Sequence, residues 1–87
     1  MIENFLDKDN KIYVLPKKRA KRIVIYEYLA SKFDDHKVYN EKEVNFILNE
    51  NHSFNDPCIL RYELTSCGFL ERLADGSEYK KPKQNKE

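Results

Sequence analysis

Three observations predict an α+β domain with three main helices, a C-terminal β-hairpin and a short N-terminal strand. A long segment, Lys17 to Phe33, repeats apolar residues at intervals of three and four. Two later segments open on side chains that cap helices, Asn40 and Asp56. The last third of the chain runs from a helix stopped by Gly68 directly into strand-forming residues folded about Asp75-Gly76.

Ile2 to Leu6 suits one helical turn, with Phe5 and Leu6 docking on the domain, and Asp9-Asn10 is a turn signal. Lys11-Ile-Tyr-Val-Leu15 is β-branched and aromatic, which predicts a short strand ended by Pro16. In the first helix Tyr26, Leu29, Ala30 and Phe33 form the inner stripe, and Ile23, Val24 and Tyr28 widen it beyond one neighbour's needs. Val38-Tyr39 predicts a minimal strand after the polar connection Asp34 to Lys37.

Asn40 with Glu43 makes a capping box, and the second helix runs to about Asn51 with Val44, Ile47 and Leu48 inward. The loop from Asn49 to Asn55 holds Phe54 as an anchor. Asn55 or Asp56 caps the third helix, Pro57 suits its first turn, and Leu60, Leu64 and Cys67 form its buried stripe. Phe69 to Leu73 is strand-like, and Asp75-Gly76 predicts a two-residue type I′ turn that sets Arg72 opposite Tyr79, close enough to stack. The expected core is Tyr26, Leu29, Phe33, Val44, Ile47, Leu48, Leu60, Leu64 and Phe69. Residues 1–10 read as an N-terminal extension, 11–80 as the domain and 81–87 as a disordered basic tail. Three helices followed by a hairpin is the order of a winged helix.

The composition excludes several classes of function. No apolar run approaches the length of a membrane span, and the acidic start Met1 to Asp7 has no secretory layout, so a cytoplasmic location is expected. Cys58 and Cys67 fall on opposite faces of one helix, where they neither bridge nor share a metal. The only glycines are Gly68 and Gly76, so there is no phosphate-cradling loop. His36 and His52 lie in loops with no nucleophile or carboxylate arranged around them. The expectation is a protein that is not an enzyme, with no cofactor, no metal and no small-molecule ligand.

Charge is segregated although the net charge is only +1. Lys17, Lys18, Arg19, Lys21 and Arg22 cluster where the first helix begins, residues 23–79 are mainly acidic, and Lys80, Lys81, Lys83 and Lys86 make the end basic again. Cations at a helix N-terminus oppose the helix dipole, so an anionic partner there offsets an intrinsic cost. Phosphates fit, and so does an acidic protein surface. The candidate nucleic-acid-binding residues are those five cations together with Arg61 and Tyr62 on the outward face of the third helix. A competing assignment pairs Arg61 with a neighbouring carboxylate such as Glu43. Two functions are therefore expected side by side. One is a regulatory winged-helix-like domain contacting nucleic acid with little sequence preference. The other is a protein-interaction module of a transcription-associated protein, including a homodimer, docking through the broad apolar face of the first helix.

Four blocks in order carry a family resemblance: Leu15-Pro16-Lys-Lys-Arg-x-Lys-Arg, Tyr39-Asn-Glu-x-Glu-Val-Asn-x-Ile-Leu48, Asp56-x4-Arg61-x2-Leu64 and Arg72-x2-Asp75-Gly-Ser-x-Tyr79. Together they resemble the bacterial domain-of-unknown-function family numbered 2087, over roughly Phe5 to Tyr79. The resemblance implies a small winged-helix-like domain, found alone or fused behind helix-turn-helix domains of transcriptional regulators, and it implies no chemistry. Tyr62 stands where the family often has a second arginine, and Lys80 where it often has an aromatic residue.

Overall fold

The computed structural model describes residues 2–83. A 3-10 turn, Ile2–Phe5, precedes α1 (Arg19–Ala30), β1 (Tyr39–Asn40), α2 (Glu41–Asn51), α3 (Pro57–Ser66), β2 (Glu71–Arg72) and β3 (Glu78–Lys80). The strands form one antiparallel sheet in the order β1-β3-β2, with Tyr79 paired to both Tyr39 and Arg72. This α+β arrangement is compatible with a winged helix whose wing is the β2–β3 hairpin. No helix among the described residues is long and apolar enough to cross a membrane.

Two helices begin where local chemistry says they should. Asn40 Oδ1 accepts from the Glu43 amide at 2.8 Å, and Glu43 Oε1 accepts from the Asn40 amide at 2.9 Å. This reciprocal cap satisfies two amides that a helix leaves open and contributes about 1 kcal/mol. At α3, Asp56 Oδ1 accepts from the Ile59 amide and Pro57 fills the first turn. Gly68 at φ +83 closes that helix, and the amides of Phe69 and Leu70 both return to the Leu64 carbonyl.

Helix α1 is shorter than its apolar spacing predicts. It starts at Arg19 rather than Lys17, because Lys18 takes the extended backbone of an N-cap. It ends at Ala30, and the amides of Ser31, Lys32 and Phe33 tighten into bonds to the third residue back. Phe33 stays buried through this turn and meets Tyr39 edge-on, with ring centroids 5.1 Å apart.

The strand predicted at Lys11 to Leu15 is a correction. Only Ile12 makes bridges, one to Leu6 and one to His52, and neither joins the main sheet. The Ile12 amide donates to the Asn51 carbonyl and the Ser53 amide donates to the Ile12 carbonyl, so both polar groups of Ile12 are spent on the end of α2. The third strand of the sheet is Tyr39–Asn40 instead.

The hairpin turn is a second correction. The Gly76 amide donates to the Leu73 carbonyl at 2.8 Å, and the Leu73 amide donates to the Glu78 carbonyl, leaving a four-residue loop, Ala74 to Ser77. A type I′ turn needs positive φ at both Asp75 and Gly76, and here only Gly76 has it. The predicted register survives, since either loop is centred between residues 75 and 76, and Arg72 does face Tyr79. Arg72 does not stack there: its Nε donates to the Gly76 carbonyl at 3.1 Å and the guanidinium lies over the loop.

Around α1, α2 and α3 the fully buried side chains are Ile12, Ile25, Tyr26, Leu29, Val44, Leu48, Leu60, Leu64 and Leu70, with Phe33, Tyr39 and Tyr79 almost as buried. Ile47 and Phe69, expected inside, are only partly buried against this cluster. Tyr39 and Tyr79 belong to it because the cross-strand pair places both rings on the helical side of the sheet.

Candidate nucleic-acid interface

The backbone that leads into α1 presents five cations in six residues. Lys17 and Lys18 lie on the extended approach, and Arg19, Lys21 and Arg22 occupy the first turn and its edge. Lys17, Lys18, Arg19 and Lys21 are exposed and Arg22 is half-buried. Among the described residues none of the five forms an ion pair. No acidic residue occupies the first turn, and the Lys18 side chain caps nothing. The open amides of the helix start and the cations therefore contribute positive potential in the same place.

Tyr26, one turn beyond Arg22, is the link from α1 to α3. Its Oη donates to Glu63 Oε1 at 2.9 Å, joining the two helices. Burial, then the bond to Glu63 and that carboxylate's charge, push the Tyr26 phenol well above its ordinary value, against the opposing pull of Arg22. The unfolded chain ionises this phenol near pH 10 while the folded chain does not, so folding binds the proton more tightly. Stability from this source is complete below about pH 10 and declines as the pH rises past it. Urea midpoints from pH 8 to 11 should fall in the native protein and fall less steeply in Tyr26→Phe.

Arg61 and Tyr62 occupy a different side of α3 from Glu63. Arg61 Nη1 donates to Asn45 Oδ1, Nη2 lies 3.6 Å from Glu41 Oε2, and its side chain is only 16% exposed. The carboxylate partner is Glu41, not Glu43, because Glu43 is engaged in the α2 cap. Tyr62 is 65% exposed and borders a shallow cleft between α3 and the hairpin, lined also by Thr65, Ser66, Arg72 and Tyr79. The fold thus gathers Lys17, Lys18, Arg19, Lys21 and Arg22 at one end of α1, and sets Arg61 with Tyr62 against α2 and the hairpin. Arg61 is tied to its own domain, whereas the five cations form no ion pair among the described residues.

At the basic end of the chain, Lys81 is half-buried and pairs with Asp35 at 3.0 Å, holding that carboxyl below its ordinary value. Residues 84–87, including Lys86 and most of the tail expected to be disordered, lie outside the described residues.

His52 was legible in sequence only as a loop residue, yet it is buried. Its Nδ1 lies 2.7 Å from the Leu48 carbonyl, and Nε2 accepts from the Asp56 amide at 2.8 Å. A carbonyl only accepts and an amide only donates, so the ring is neutral with its proton on Nδ1. The spacing of four residues to Leu48 and four to Asp56 was the only available signal. Cys58 is exposed and Cys67 half-buried, both as free thiols, and no cluster among the described residues is arranged to hold a metal.

Neither the curated proteins nor the solved structures contain a match to this chain. Residues 11–81 match the family described as an uncharacterized protein conserved in bacteria, DUF2087. That span takes in every helix and strand from α1 to β3, and with it the basic start of α1, the capping box and the hairpin. The chain belongs to the DUF2087 family of bacterial proteins.

Proposed function

We propose that this is a non-enzymatic, cytoplasmic regulatory module of winged-helix type that contacts nucleic acid non-specifically through the start of α1. One observation carries the reading: five cations that have no carboxylate partner among the described residues surround an uncapped helix start that holds no acidic residue. Phosphate oxygens complement both the cations and the open amides, and they carry no base identity. Arg61 contributes less, since it already has partners on α2. The protein-contact reading based on α1 has weaker support. Ile23 and Tyr28 pack against the core, and Ile2, Phe5 and Leu6 of the N-terminal turn join the same cluster.

Anisotropy titration of a short labelled duplex at low salt tests the proposal. Binding should weaken steeply with added salt and hardly change with duplex sequence. Lys18→Glu combined with Arg22→Glu should lower affinity by about tenfold or more and flatten the salt dependence by about two phosphate contacts. No binding at roughly tens of micromolar protein, or an unaltered double variant, rejects it.

A further inference from the structure

The outward face of α2 has an arrangement that the nucleic-acid reading does not use. Val44 and Leu48 point into the core, and at about 100° per residue Phe46 lies diametrically opposite their midpoint. Its ring is 65% exposed, as much as any large apolar side chain in the domain. Lys42 and Glu50 flank it one turn before and one turn after, and both are exposed. Among the described residues neither forms an ion pair. Each is also misplaced for α2 itself. A cation in the first turn and an anion in the last turn both oppose the helix dipole. A groove lined by Tyr39, Lys42, Glu43 and Ile47 runs beside the Phe46 ring.

We propose that this face binds a second copy of the chain, with α2 antiparallel to its counterpart about a two-fold axis at Phe46. The argument is charge order. Lys42, Phe46 and Glu50 form one ridge of residues spaced by four, the kind that interdigitates between packed helices. Turned end for end, that ridge is its own complement: each Lys42 meets the Glu50 of the other copy, and the two Phe46 rings meet between them. A parallel arrangement sets like charges together and is excluded. The two-fold contact is isologous and closes on itself, so it makes dimers and not chains. Antiparallel helices also bring each misplaced charge beside the opposite end of the facing dipole, where it is favourable. One helix pair buries less than the roughly 1,200–2,000 Å² of a stable complex, so the dimer is reversible and concentration-dependent.

Sedimentation velocity without nucleic acid tests this independently of the α1 reading. The native chain should pass from monomer to dimer as concentration rises from micromolar to millimolar. Phe46→Ala, which removes only an exposed side chain, should raise the dimer dissociation constant by about tenfold or more at unchanged circular dichroism. Lys42→Glu and Glu50→Lys should each self-associate more weakly than the native chain. Their equimolar mixture should form a heterodimer, since one variant then carries acidic groups at both flanking positions and the other basic groups. A native chain that stays monomeric throughout, a Phe46→Ala variant that dimerises as the native chain does, or a mixture no tighter than its parts would each overturn the proposal.

Discussion

Replacing His52 by alanine is expected to lower the stability of this domain by about 3 kcal/mol. The ring holds the end of α2 to the start of α3, through the Leu48 carbonyl on one side and the Asp56 amide on the other. The Leu48 carbonyl is buried and loses its bond when the ring is removed, at about 1–3 kcal/mol for a buried group left unpaired, whereas the exposed Asp56 amide turns to water at less cost. The edge-on contact with Phe54, centroids 4.6 Å apart, is lost as well. A domain of 87 residues has roughly 4–13 kcal/mol in total, so the loss is a large fraction of it. Two further variants divide the effect. Asparagine reaches only the Nδ1 position and should retain the Leu48 bond; glutamine reaches only the Nε2 position and should retain the Asp56 bond. Each should fall between alanine and the native chain in guanidinium unfolding. An alanine variant within about 0.5 kcal/mol of the native protein would show that the ring does not join the two helices.

Leu64→Ala is expected to cost about 3–5 kcal/mol, the larger of the two effects. Leu64 is fully buried, and its carbonyl also receives the amides of Phe69 and Leu70, where the chain leaves α3 for the hairpin. Truncation removes apolar burial and leaves a cavity that three packed helices close only in part. The hairpin is affected too, because Leu70 is buried beside the same contacts. Tyr62 provides the control. It lies on the same helix two residues earlier but is 65% exposed, so Tyr62→Ala should stay within about 0.5 kcal/mol of the native chain. Thermal melts of the two variants side by side measure the difference. Equal losses would mean that α3 is not anchored by the face assigned to it.

The site was legible to the extent that its residues are adjacent in sequence. The run from Lys17 to Arg22 is visible in any reading of charge, and the structure adds that no carboxylate among the described residues pairs with it. Arg61 shows the limit. Sequence offers it Glu43 as a partner, but Glu43 is committed to the cap with Asn40, and α2 presents Asn45 and Glu41 instead. The Arg72–Tyr79 register was correct, while the stacking inferred from it was not, because the Gly76 carbonyl competes for the same guanidinium at closer range.

The starts of α2 and α3 and the stop of α3 were decided by the chain itself: Asn40 with Glu43, Asp56 with Pro57, and Gly68 act through bonds and backbone preferences that close within three or four residues. Only the folded arrangement decided that Ile12 is a buried clasp on α2 and not a strand, that His52 joins two helices, and that Tyr39 and Tyr79 complete the core. Each of those outcomes depends on which distant backbone group arrives opposite a residue. That is set by the packing of the helices against one another, a condition that no window of neighbouring residues contains.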